Sequence, residues 1–481
     1  MDAASSPSSS SPGDSAARLV SGKKKKKKKG KKVRAGSPSA GAPSVPAKTH
    51  VPTPGADRGA YRRWIRRLAT ALVRAQLEIR VLKALHWPDS VALRFLEKKG
   101  TEPPKVAYEP LDFDPKRKVE ELQAIENLLD TGDPLQGILR ETAQQYADVV
   151  TMLDARGTPG FYQASRRLYG HPLEPFAGQS ITSLDLAQHL ERLLPPNSEV
   201  PSPTGDMMTA EETARHLERR LGKAFKGARV RVEVSNNLTA DAAAGADRLR
   251  IKKGRMFGRE TVDYLEQHEG YVHILTTLNG RRQPFLGILG KASPRAVRVN
   301  EGLAVFSEWA SHTLTVKRVR RLGDRVLAIR MAEEGADFMD LYRHYVDRGE
   351  SPEAAFDVAR RVFRGGDLGG GAPFTKDASY LGDFVRIYNF ARVAVRRRRL
   401  DLMDLLFAGK VTIRDLPVLA THALTGEVRR PRWLPPWMRD RNWLLSHMAL
   451  SSFLNAIRLD STDTYYEELF SQCPSAVDQA Q

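Results

Sequence analysis

The sequence predicts an α+β fold that is mostly α-helical, with a small β-sheet in one stretch near the middle of the chain. Three observations carry this reading. Apolar residues recur at three-, four- and seven-residue steps over most of the chain. Period-two alternation appears in RVRVEV (229–234) and again in DRLRIKK (247–253), the best strand candidates. With 481 residues, 41% of them hydrophobic, the chain can bury a substantial core as one large domain or two.

In chain order, residues 1–57 read as a flexible basic arm. They hold a lysine run at 23–29 among Ser, Pro, Gly and Ala, residues that supply no buried face. Arg58 opens a helix expected to reach about 83, with Ile65, Leu68, Leu72, Ile79 and Leu82 on its apolar side and arginines outside. Further helices are expected over 117–130, 135–155, 183–194 and 209–225, the last opened by a Thr209-x-x-Glu212 capping box. The two strand candidates are separated by NNLTADAAAGAD, whose turn residues suggest an antiparallel pair. A helix then runs from about Gly258 to Leu278, stopped by Asn279-Gly280. Helices follow over 300–314, 323–348 and 352–364, the last with Ser351 as N-cap and Pro352 in its first turn. The glycine-rich loop at 361–377 lacks the Lys-Ser/Thr ending of a phosphate-binding loop. Helices over much of 378–410 and 440–458 complete the body, which extends from 58 to 465; residues 466–481 read as a flexible tail.

The chemistry concentrates in HEGYVH, 268–273. The familiar zinc-peptidase signature places two histidines four residues apart on one helix face. Here the step is five, which turns a regular helix about 140° past a full circle and aims the rings apart. Two readings stand: ordinary helix residues on opposite faces, or a zinc site on a helix widened by a π-bulge, which Gly270 would ease as a poor helix former. NEGLAVFSEW, 300–309, offers Glu301 as third ligand, in an N-E-G-x-A setting like that of the gluzincin peptidases. His268, His273 and Glu301 would hold one Zn²⁺ with a coordination position open. Glu269, beside a ligand, would be the general base. Glu308, seven residues beyond Glu301, would orient a histidine from behind or serve no role.

The composition limits the setting. A single cysteine, Cys473, excludes an intramolecular disulfide and any cysteine-based zinc knuckle, which suits a reducing compartment. No apolar run has transmembrane length, and the Ser/Pro-rich start lacks the apolar stretch of a signal peptide, so a soluble intracellular protein is expected. The net charge is +19, and residues 1–57, with ten Lys and two Arg against three Asp, contribute nine of it. An arm of this kind attracts polyanions: nucleic acid, acidic membrane or an acidic protein surface.

HEGYVH and NEGLAVFSEW, followed by RVFRG and GGAPFTKDASYL, resemble the zinc metallopeptidase family labelled by its Q-E-G-L-A motif, and within it the microtubule-associated tyrosine carboxypeptidases. The resemblance covers roughly 60–465; Asn300 stands where the family label has Gln. It implies a zincin-like, gluzincin-type domain with its small sheet beside the zinc helix. It also implies a cytoplasmic enzyme on the microtubule cytoskeleton that removes the C-terminal tyrosine of α-tubulin, with the acidic tubulin tail and the microtubule lattice as partners. A monomer with no membrane or nucleic-acid partner is expected. An exopeptidase needs a cation for the terminal carboxylate, and Arg364, Lys376 and Tyr380, in the family-like loop, are the substrate-binding candidates. Two alternatives remain: a non-catalytic microtubule or nucleic-acid binding protein with a zincin fold, and a zinc endopeptidase of broader specificity.

Overall fold

The computed structural model describes residues 57–194, 207–236, 238, 240–245, 248–457 and 459–472. The basic arm lies outside the described residues except for Asp57, whose carboxylate N-caps the first helix by accepting from Gly59 and Ala60 N–H. That helix spans Arg58–Ala75 and buries Tyr61, Trp64, Ile65, Leu68 and Leu72. It stops short of 83. Ile79 is extended and Leu82 is exposed, so the seven-residue step from Leu72 to Ile79 does not continue the helical stripe.

The expected helices appear at Pro115–Glu126, Pro134–Asp154, Ser183–Leu193 and Ala210–Ala224. Thr209 and Glu212 form the reciprocal capping box read from their spacing. The single helix expected over 323–348 is two, Val316–Glu333 and Phe338–Asp347. Gly335, at φ 106°, reverses the chain between them and Asp337 caps the second. Helices Asp89–Glu97, Pro159–Tyr169 and Leu416–Leu424 were not anticipated. Each is short, so its apolar period repeats too few times to stand out. A last helix, Leu459–Phe470, runs across the boundary expected at 465, and Cys473 lies outside the described residues.

The sheet corrects one expectation. Strand β1 (Arg231–Ser235) and strand β3 (Arg248–Lys252) pair in parallel, Val232 opposite Leu249 and Val234 opposite Ile251. Between them the chain forms β2 (Ala242–Ala244), which lies antiparallel on the other side of β3, giving the order β1-β3-β2. The twelve residues read as a turn hold that extra strand and provide the crossover a parallel pair requires. The main core gathers the first helix, the 134–154 helix, the sheet and the central histidine helix, with Leu249, Ile251, Val272, Ile274 and Phe306 wholly buried. No described helix is long and apolar enough to cross a membrane.

Candidate metal centre

The histidine helix is one continuous rod in three parts: α-helical from Arg259 to Leu265, π-helical from Glu266 to Ile274, and α-helical again from Leu275 to Arg281. In the wider π turn, residues five apart come onto one side, as residues four apart do in an α-helix. The rings of His268 and His273 therefore meet, with centroids 4.9 Å apart. Gly270, within the π turn, also has a packing duty. A Cβ there would stand 2.5 Å from Leu221, so its absence lets the 210–224 helix pack directly on the bulge. Asn279-Gly280 is a joint and no stop. The Asn279 side chain donates to the carbonyls of Phe407 and Trp433 and accepts from Arg432 and Trp433 N–H, while Gly280 admits the backbone of Leu289.

A second helix, Pro294–Ala310, crosses the bulge and supplies Glu301. Glu301 Oε2 lies 3.6 Å from His268 Nε2 and 3.4 Å from His273 Nε2. Oε2 is buried and has no hydrogen-bond partner. Neighbouring ligands of one tetrahedral zinc stand about 3.3–3.6 Å apart, given zinc-to-ligand distances of about 2.0–2.2 Å, so the three side chains fit such an ion. Glu301 Oε1 faces away and accepts from Lys376 Nζ at 3.0 Å. Burial opposes ionisation of Glu301, but the Lys376 cation and the two histidines outweigh it and hold the carboxyl well below its usual range. Burial likewise disfavours a charged His268, yet Glu301 and Glu308 together raise it to about 9. Both effects describe a site that favours a cation between these groups.

Each imidazole is held from behind by a different device. His268 Nδ1 meets Glu308 Oε1 at 2.7 Å, and Glu308, fully buried, accepts two bonds from Arg318, at 2.9 and 3.0 Å. His273 Nδ1 meets Asn300 Oδ1 at 3.0 Å, and that oxygen also accepts from Lys410 Nζ at 2.6 Å. Burial lowers Lys410 to about 8, against the charges of Glu301 and Glu269. The Asn-Glu-Gly run thus has three separate jobs. Asn300 supports one histidine, Glu301 faces both, and Gly302 lets the 378–396 helix touch: a Cβ there would come within 2.4 Å of the Asp383 backbone. Glu269, half-buried beside His268, accepts from Ala244 N–H at 2.9 Å, which ties its carboxylate to strand β2.

The remaining candidates lie on the loop and on the helix that follows it. Lys376 is engaged with Glu301 and approaches the Tyr380 hydroxyl at 3.4 Å. The Tyr380 ring stacks 6.3 Å from that of His268. Arg364 sits with its guanidinium 5.4 Å over Phe374, and its buried Nε has no partner. Arg325, which the sequence did not single out, lies 4.9 Å over the Tyr380 ring; the acid nearest it, Asp377, is 3.9 Å away and is already held by Arg361 at 2.6 Å. Burial and the neighbouring Arg361 lower both Arg325 and Arg364 to about 10. Arg318, Lys410 and Arg325 had no signal in the sequence beyond their charge, because each lies on a different element from the group it meets.

Two histidines and one glutamate converging from a bulged helix and a crossing helix form the donor set used by catalytic zinc hydrolases. The model of the microtubule-associated tyrosine carboxypeptidase family matches residues 93–456, and the chain belongs to that family. No curated protein matches the chain.

Proposed function

We propose that the protein is a zinc carboxypeptidase of zincin type that removes the C-terminal tyrosine of α-tubulin. One observation above all supports this: the unpartnered Oε2 of Glu301 faces His268 Nε2 and His273 Nε2 at ligand spacing, within a tyrosine carboxypeptidase family. Those three atoms would hold the ion. Zinc supplies Lewis acidity and brings the pKa of a coordinated water to about 7.

The chain's own groups do the rest. Glu269 takes the proton of the attacking water and passes it to the leaving amine, and its bond from Ala244 N–H fixes where that carboxylate waits. Lys376 holds Glu301 by one oxygen, leaving the other to face the imidazoles. With Lys376 so engaged, the terminal carboxylate of the substrate falls to Arg364, with Arg325 and Tyr380 beside it. Arg364 Nε is buried without a partner, which is costly, and a bidentate carboxylate is the best partner for a guanidinium. The acidic tubulin tail and the microtubule lattice are the partners, and the basic arm adds long-range attraction.

The test is mass analysis of tubulin and of a tyrosine-ended acidic peptide after incubation with wild type, with Glu269→Gln and with wild type plus chelator. Loss of one C-terminal tyrosine with wild type alone is the expected result. Internal cuts would make the protein an endopeptidase; no cut, with microtubule binding intact, would make it a non-catalytic binder.

A further inference from the structure

Lys410 comes from the segment after the helix Leu400–Leu405, more than a hundred residues beyond the histidines, and is buried. Its ammonium is linked to His273 in two ways, one direct and one through Asn300. It donates to the backbone carbonyl of His273 at 3.1 Å, and through Asn300 Oδ1, at 2.6 Å, it reaches the ring nitrogen Nδ1. Lysine, asparagine and histidine thus form a closed loop behind one imidazole.

The chemistry of these groups fixes more than position. An ammonium has donors and no acceptor, so the amide atom it meets must be the oxygen. The atom facing His273 Nδ1 is this same oxygen, so Nδ1 must carry the ring proton. In the neutral ring Nε2 then keeps its lone pair, on the side that faces Glu301 Oε2. Turning the amide over would set its NH₂ against the ammonium, donor against donor. The protein instead leaves Asn300 Nδ2 with no partner. Without Lys410 the amide is free to turn, and a turned amide would accept nothing and would demand the opposite tautomer.

We infer that Lys410 is a positioning residue that sets the tautomer of His273 through Asn300 before any metal arrives. His268 needs no such relay, because a carboxylate such as Glu308 accepts from either oxygen. The amide behind His273 is the one support whose two faces differ, and it is the one gripped by a lysine.

The experiment is nitrogen-15 NMR of the histidine side chains in metal-free, full-length protein. It compares wild type with Lys410→Met, Asn300→Asp and Asn300→Ala, each checked for folding by circular dichroism. Wild type and Asn300→Asp should show His273 as the Nδ1–H tautomer; Lys410→Met and Asn300→Ala should show the Nε2–H form or a mixture. Should Lys410→Met fail to fold, Asn300→Ala decides the question with Lys410 in place. An unchanged Nδ1–H signal in the folded Lys410→Met or Asn300→Ala protein overturns the inference, as does loss of that signal in Asn300→Asp. A second arm, zinc affinity by competition with a chromophoric chelator, rests on the zinc reading above. Lys410→Met should weaken binding roughly 10–100-fold, as loss of a group behind a ligand does, and Asn300→Asp far less. Absence of zinc binding in wild type would defeat the zinc reading alone, since the tautomer is measured without metal.

Discussion

Behind the two histidines, each group that touches an imidazole is itself gripped: Glu308 by both arms of Arg318, Asn300 by Lys410. On the side of Tyr380 the pattern reverses. Three arginines and a lysine gather around Asp377 and Glu301, and Arg364 keeps a buried nitrogen with no partner. A protein loses stability by burying unmatched positive charge, so one flank has the character of a finished scaffold and the other that of a site awaiting an anion. The two flanks meet at Gly302, where the helices that carry them touch.

Substitutions can break this contrast. The largest effect expected is at the centre both flanks serve. Glu269→Gln should retain zinc, measured by metal analysis, and lose roughly 10²–10⁴-fold in turnover of the tyrosine-ended peptide, because an amide cannot take the proton. Arg318→Met tests the scaffold. It leaves the buried Glu308 carboxylate without its cation, and chemical denaturation should show a loss of about 3–5 kcal/mol.

Arg364→Met should do the opposite. Stability should hold or rise, while kcat/KM on the peptide falls by the worth of a charge-assisted bond, about 1.5–3 kcal/mol. A peptide ending in an amide should show no difference between wild type and this variant. A stability loss as large as that of Arg318→Met would erase the distinction between the flanks.

Gly302→Ala probes the joint. Its methyl would press on the Asp383 backbone, so about 1–3 kcal/mol of stability should be lost to overpacking. The shift should also part Lys376 from Glu301, read as weakened zinc affinity. The smallest effect on the chemistry should follow deletion of residues 1–57. Nine of nineteen net positive charges go with them, so co-sedimentation with microtubules should weaken and its salt dependence flatten. Cleavage of the free peptide should change little, and an equal loss on both substrates would place the arm within the catalytic body.

What the sequence determined by itself was local. HEGYVH and NEGLAVF carry their chemistry within a few residues, and the five-residue step between histidines left two readings, rings on opposite faces or a widened helix, of which the π turn over 266–274 is the second. The Thr209 and Ser351 caps were legible for the same reason, since each is closed within three residues. Tertiary structure decided the rest. The parallel register of β1 on β3 depends on β2 entering from the far side. The duty of Gly270 depends on Leu221, about fifty residues away in the chain. Lys376 meets Glu301 across the contact that Gly302 allows between two helices, and Lys410 and Arg318 stand behind the histidines because folding brought their elements there. Periodicity and spacing report what a residue can reach along its own helix or turn, whereas a buried charge takes its partner from whichever element packs against it.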